Sequence, residues 1–146
     1  MMERSVNVFF YGSYMNFEVL KEADINERAF EAGCLHGYAL SISPLANLKK
    51  EDEGRVYGIL TRLSHPELDR LYTEHARGKL GGVYLPEAVT VYLRNGLYTS
   101  ALCYISHNTG AGEADPAYVN RILTPATEYG FPEWYLNHIA SYVHDN

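Results

Sequence analysis

Val6-Asn7-Val8-Phe9-Phe10, running into Tyr11-Gly12-Ser13-Tyr14, is the stretch around which the rest of the chain is organised. The run is apolar and rich in β-branched and aromatic residues, so Val6–Tyr11 reads as a first, buried strand. A strand that empties into a Gly-Ser turn presents backbone N–H groups outward, where a carboxylate or carbonyl oxygen docks. A short helix near Asn16–Ala23 follows, and Ala29–Ser43 is extended, with Gly33 and Gly37 marking a bend or bulge. Pro44–Glu53, which carries Lys49-Lys50-Glu51-Asp52-Glu53, reads as a polar, solvated loop. Gly54–Leu63 is again strand-like, with Val56, Gly58 and Leu60 on one face and Tyr57 and Ile59 on the other.

Ser64-His65-Pro66-Glu67 opens a helix, because Ser64 suits the N-cap and Glu67 stands three residues on, as a capping box requires. Leu68, Leu71, Tyr72 and His75 recur at helical spacing and form its inward face. Glu74 is three residues beyond Leu71, at the edge of that face, where a carboxylate is expected to be partly buried. Arg77–Gly82 is a Gly-rich loop. Val83–Leu93 is a strand that returns as Leu97–Ser106 through Asn95-Gly96, the strongest hairpin signal in the chain. After a Gly/Asn-rich loop, Asp115-Pro116 caps a helix reaching about Tyr129, Gly130 stops it, and Phe131-Pro132 opens a last helix to about Val143. Strands come first and helices late. The expected fold class is α+β, with a curled, barrel-like mixed or antiparallel sheet flanked by helices.

The chain has 146 residues, enough for one domain and one core, so residues 1–146 are read as a single domain. Its net charge of −6 argues against a general nucleic-acid binder, which carries a basic face. No apolar stretch approaches the roughly 20 residues of a membrane span, and Met1-Met2-Glu3-Arg4 lacks the apolar core of a secretory signal. A cytoplasmic protein is expected, with Cys34 and Cys103 as reduced, buried thiols. His36, His65, His75, His107, His138 and His144 show no H-E-x-x-H and no zinc-type spacing with cysteine, so no metal is expected. There is no G-x-S-x-G elbow and no phosphate-loop frame around Gly78-Lys79. Thirteen tyrosines suit a lined pocket as well as a sheet face.

Several motifs, in order, resemble the γ-glutamylcyclotransferase-like family. Tyr11-Gly12-Ser13 is similar to the family's Tyr-Gly-Ser loop after the first strand, and Val56-Tyr57-Gly58-Ile59-Leu60 to its Val-x-Gly-x-hydrophobic strand. Leu68-Asp69-x-x-x-x-Glu74 resembles the family's Leu-Asp-x-x-(x)-Glu helix that bears the catalytic acid. Gly82-Val83-Tyr84, Val89-Thr90-Val91, Ala101–Tyr104 and Tyr129-Gly130-Phe131-Pro132-x-x-Tyr135 resemble later segments. The resemblance implies a cofactor-free reaction on a small γ-glutamyl amine or γ-glutamyl amino acid. Glu74 would take a proton from the α-amine, the amine would close on the γ-carbonyl, 5-oxoproline would form, and the same carboxyl would protonate the departing amine. It implies that backbone N–H groups around Gly12-Ser13 hold the γ-glutamyl head, with Tyr11 and Tyr14 read as substrate-binding beside them. It also implies that Tyr84, Tyr104 and Tyr118 lie near the pocket, where Tyr84 and Tyr118 are read as substrate-binding and all three are placed to orient Glu74 or touch the substrate. Asp69 is read as capping or pairing on its helix. The alternative is a non-catalytic small-metabolite binding module on the same fold. Two residues depart from the family pattern. Tyr14 stands where the family loop continues with Asn, and His75, read as packing inward, follows the acid where many members have Gly. The Arg77–Gly82 loop is also longer than in some relatives.

Overall fold

The apolar run at the N-terminus becomes the strand β1 (Ser5–Phe10), whose burial deepens along its length until Val8, Phe9 and Phe10 are closed off from solvent. The structure is a computed structural model that describes residues 4–107 and 112–143. After β1 come a 3₁₀ turn (Ser13–Met15), α1 (Phe17–Lys21), β2 (Phe30–Ile42), β3 (Ala46–Ser64) and α2 (His65–Asp69), which runs directly into a π-helical segment (Arg70–Arg77). Then follow β4 (Leu85–Leu93), β5 (Tyr98–Ile105), α3 (Pro116–Glu128) and α4 (Glu133–Ala140). The strands lie in the order β1-β3-β2-β4-β5, and the sheet curls until its ends meet, β1 bridging β5 in parallel at Val8 and Leu102. All other pairings are antiparallel. This is the expected α+β fold with a curled sheet. Part of the Gly/Asn-rich loop before Asp115, and His144, lie outside the described residues.

One expected loop is strand. Pro44–Glu53 does not form a solvated loop; from Ala46 onward it is the first half of β3, pairing Ala46 with Ile42, Leu48 with Leu40 and Lys50 with Tyr38. The charge run hid a two-residue alternation. Ala46 and Leu48 point into the core while Lys49–Glu53 stay exposed, a pattern natural to a strand with one wet face. The register between β2 and β3 shifts between His36 and Tyr38, where Gly37 adopts φ 87°, so the expected bulge is at Gly37. Gly33 instead lies inside the strand, where a Cβ would stand 2.6 Å from Val91 Cγ1 on β4. Cys34 and Cys103 are both free; Cys103 is buried and Cys34 only partly so.

The helix after β3 starts as its sequence demands. Ser64 accepts from the Glu67 N–H while the Glu67 carboxylate accepts from the Ser64 N–H. The same carboxylate receives a two-pronged bond from Arg28, at 2.8 and 2.6 Å, which holds its pKa down at about 2. The pKa is lower in the folded chain, so this stabilisation is complete above pH 4.5 and is lost as the pH falls toward 2. Glu67→Gln is therefore expected to cost about 2 kcal/mol near neutral pH and much less at about pH 2, where the wild-type carboxylate is itself protonating. Urea unfolding of both proteins across that range measures it, and an equal loss at both ends would contradict the ion-pair account.

Candidate functional site

β1 carries the chain into the middle of the closed sheet, and the residues that follow it stay inside. Tyr11, Ser13 and Tyr14 are all buried. The turn is closed by Met15 N–H donating to Gly12 O (3.1 Å) and Asn16 N–H donating to Ser13 O (3.0 Å). It is braced by α3 and the residue after it, since the Tyr129 hydroxyl donates to Met15 O (2.9 Å) and the Asn16 amide donates to Arg121 O (3.2 Å). Gly12 is required here because a Cβ would come within 2.9 Å of Ala46 Cβ on β3. The N–H groups of Gly12, Ser13 and Tyr14 donate to no acceptor among the described residues.

This turn is one wall of a cavity lined by tyrosine rings, Tyr72, Tyr84, Tyr104 and Tyr118 among them. Most of the hydroxyls are tied. Tyr11 donates to Tyr104 O (2.6 Å), Tyr84 donates to Ala46 O (2.6 Å), and Tyr118 accepts from Ala46 N–H (2.9 Å) while hydrogen-bonding Ser13. Burial pushes the Tyr11, Tyr14, Tyr72, Tyr84 and Tyr118 phenols upward, so all stay neutral. The free volume is about 30 Å³, room for about one or two waters. Tyr72 stacks on Tyr104 with ring centroids 3.7 Å apart. The stacked pair lines both this cavity and a neighbouring cleft of about 490 Å³. Asp69 lines this cleft and accepts from the Thr73 hydroxyl at 3.1 Å, consistent with its expected helix-pairing role.

Five of the seven expected site residues, Tyr11, Ser13, Tyr14, Tyr84 and Tyr118, bring side chains to the cavity, and Gly12 brings its backbone. Glu74 does not reach it. Its side chain is exposed, and among the described residues no carboxylate lines the cavity. The expected partial burial of Glu74 assumed an α-helical turn. Here the turn widens to an i→i+5 pattern, so each residue rotates the chain less. Leu71, His75 and Ala76 are buried and Tyr72 partly so, while Thr73 and Glu74 swing outward between them. The residues of this helix that face the cavity are Ala76 and, with the one polar side chain, Tyr72. Its sequence signal was spacing: the pattern Leu-Asp-x-x-(x)-Glu leaves two or three residues before the acid, two after Leu68-Asp69 leads to Tyr72, and Glu74 comes only after four.

The two residues that break the family pattern meet. The Tyr14 hydroxyl lies 3.0 Å from His75 Nδ1, the buried His75 ring puts Nε2 3.1 Å from Glu22 Oε1, and the other Glu22 oxygen is held by Arg121. The Arg121 bond, with His75 adding to it, holds the Glu22 carboxyl below its usual range. His75 therefore both packs inward and hydrogen-bonds. Glu22 and Arg121 had no local signal, because their partners are 53 and 99 residues away along the chain. Among the described residues no three His, Cys, Asp or Glu side chains gather as a metal-binding set.

No family model matches the chain, and no curated protein matches it in sequence. Solved structures do match it in shape. A gamma-glutamyl cyclotransferase superposes with a TM-score of 0.80 at 20% identity, over 98% of this chain and 90% of that one. An uncharacterized human protein gives 0.77 at 21% identity, over 99% and 90%. A yeast gamma-glutamyl cyclotransferase specific to glutathione gives 0.64 at 11% identity, over 95% of each. The chain has the γ-glutamylcyclotransferase-like fold. None of its described helices is long and apolar enough to cross a membrane.

Proposed function

We propose that the tyrosine-walled cavity is a small-metabolite binding site for the γ-glutamyl type of head group, used without a glutamate base. The observation that carries this reading is that Tyr72 faces the cavity while Glu74 is exposed outside it. The uncommitted N–H groups of Gly12, Ser13 and Tyr14 suit a carboxylate or carbonyl oxygen. Tyr11, Tyr14 and Tyr84, which also line the cavity, bring neutral phenols. The cavity is small as it stands, so a ligand enters by pushing aside a ring. Tyr72 and Tyr104 are the rings to move: neither hydroxyl has a partner among the described residues, and both border the neighbouring cleft.

The second reading is cyclisation to 5-oxoproline with Glu74 as base, favoured by the likeness in fold to gamma-glutamyl cyclotransferases. It requires Glu74 to turn into the cavity. Calorimetry and mass spectrometry on a panel of γ-glutamyl amines and γ-glutamyl amino acids separate the two. Binding is expected for at least one member, with no 5-oxoproline on long incubation, and Glu74→Gln is expected to change its affinity less than about twofold. Release of 5-oxoproline that disappears in Glu74→Gln would establish the second reading instead.

A further inference from the structure

We infer that Tyr14, held by His75 and Glu22, is this site's specificity-determining residue, and that it selects ligands carrying a primary ammonium or other N–H donor. The inference rests on the reading of the cavity as a γ-glutamyl-type binding site and names the group that its Tyr14 side recognises. Glu22 is held as a carboxylate by Arg121 and only accepts, so the His75 nitrogen facing it at 3.1 Å, Nε2, carries a hydrogen.

Two states of His75 remain, and they agree at the cavity wall. With a neutral ring, Nδ1 is a bare acceptor, and the Tyr14 hydroxyl donates its only hydrogen to it across 3.0 Å. With a charged ring, Nδ1 donates to the Tyr14 oxygen, and the hydroxyl hydrogen goes to Leu71 O at 3.3 Å. In both states the Tyr14 hydrogen is spent inside the protein and an oxygen lone pair is left over. Tyr14 lines the cavity, and we assign this leftover lone pair to the ligand. Tyr11 and Tyr84 reinforce this, since each already donates its hydrogen to a backbone carbonyl. An ammonium group against these oxygens also lies among aromatic faces, which favour a cation. Tyr14 touches the ligand; His75 and Glu22 are positioning residues that act through it.

The test compares γ-glutamylalanine with glutarylalanine, which lacks only the α-amine and is no larger, so steric exclusion cannot explain a preference. By calorimetry the wild type is expected to bind the amine-bearing probe at least about tenfold more tightly. Tyr14→Phe and His75→Leu are expected to lose most of that preference. His75→Gln, which keeps an acceptor toward Tyr14 and a donor toward Glu22, is expected to retain it, a rescue that a purely packing role for His75 does not explain. Nitrogen-15 NMR of the unliganded protein is expected to find Nε2 protonated. Equal affinity of the wild type for both probes, or an undiminished preference in Tyr14→Phe, overturns the assignment and leaves the γ-glutamyl site standing. A neutral His75 protonated at Nδ1 overturns the part assigned to Glu22, since Nε2 would then carry no hydrogen for that carboxylate to accept. Binding of neither probe overturns the γ-glutamyl reading and the assignment with it.

Discussion

Gly58→Ala is expected to destabilise the protein by about 3 kcal/mol, the upper end for overpacking a well-filled interior. A Cβ at position 58 would stand 2.1 Å from the Phe10 carbonyl oxygen and 2.7 Å from Phe9 Cζ. Neither neighbour has room to yield. Phe10 is paired with Ile59 in the β1–β3 ladder, and Phe9 is fully buried in the core. The methyl group is relieved only if β1 separates from β3, and β1 is what carries Tyr11 through Tyr14 to the cavity. The damage should therefore reach the site as well as the fold. Amide signals of Gly12, Ser13 and Tyr14 are expected to shift along with the drop in unfolding midpoint. Gly96→Ala is the control: nothing lies within 4 Å of its Cβ, and only its positive φ of 86° is strained, at roughly 1–2 kcal/mol. Equal losses in the two variants would mean that β1 and β3 are not as close as described.

Tyr72→Glu is expected to turn binding into turnover. It places a carboxylate on the cavity wall among buried tyrosines, where desolvation raises a carboxyl pKa toward neutrality and suits it to take a proton from an ammonium group. General-base help of this kind is worth roughly 10²–10⁴-fold, so 5-oxoproline release from a bound γ-glutamyl probe should rise at least about a hundredfold over the wild type. The substitution also removes a ring stacked on Tyr104 and edge-on to Tyr14, so circular dichroism and probe affinity must accompany the assay. A folded variant that binds the probe and releases no product would show that the ligand's amine does not lie near position 72. Tyr72→Phe, which keeps the ring and loses an unpartnered hydroxyl, is expected to stay folded and inactive.

Much of the architecture was legible in local pattern. Ser64 and Glu67 announced their helix through a reciprocal capping box, Asn95-Gly96 announced its hairpin, and Asp115-Pro116 announced α3, because each signal is complete within a few residues. The first half of β3 was not, since five successive charges at Lys49–Glu53 mask the inward Ala46 and Leu48 and only pairing with β2 makes the segment a strand. The cavity was legible in part. Tyr11-Gly12-Ser13 was recognisable as the turn after the first strand, and Tyr14, Tyr84 and Tyr118, expected beside it, line the same cavity. The partial burial expected of Glu74 is absent because which side of a helix a residue occupies depends on the turn's hydrogen-bond pattern, and here that pattern is π-helical.

What the sequence alone determined, then, is a strand that empties into an N–H-rich turn, placed in a curled sheet with late helices. These follow from residues close together along the chain. Tertiary structure alone decided which side chain of the helix meets that turn, and what holds Tyr14. The Tyr14–His75–Glu22–Arg121 chain joins residues of the first turn, the end of α1, the π-helical segment and α3, Glu22 being the residue that caps α1. No local rule of spacing connects them, because their proximity exists only once α3 has packed against the turn and closed the site.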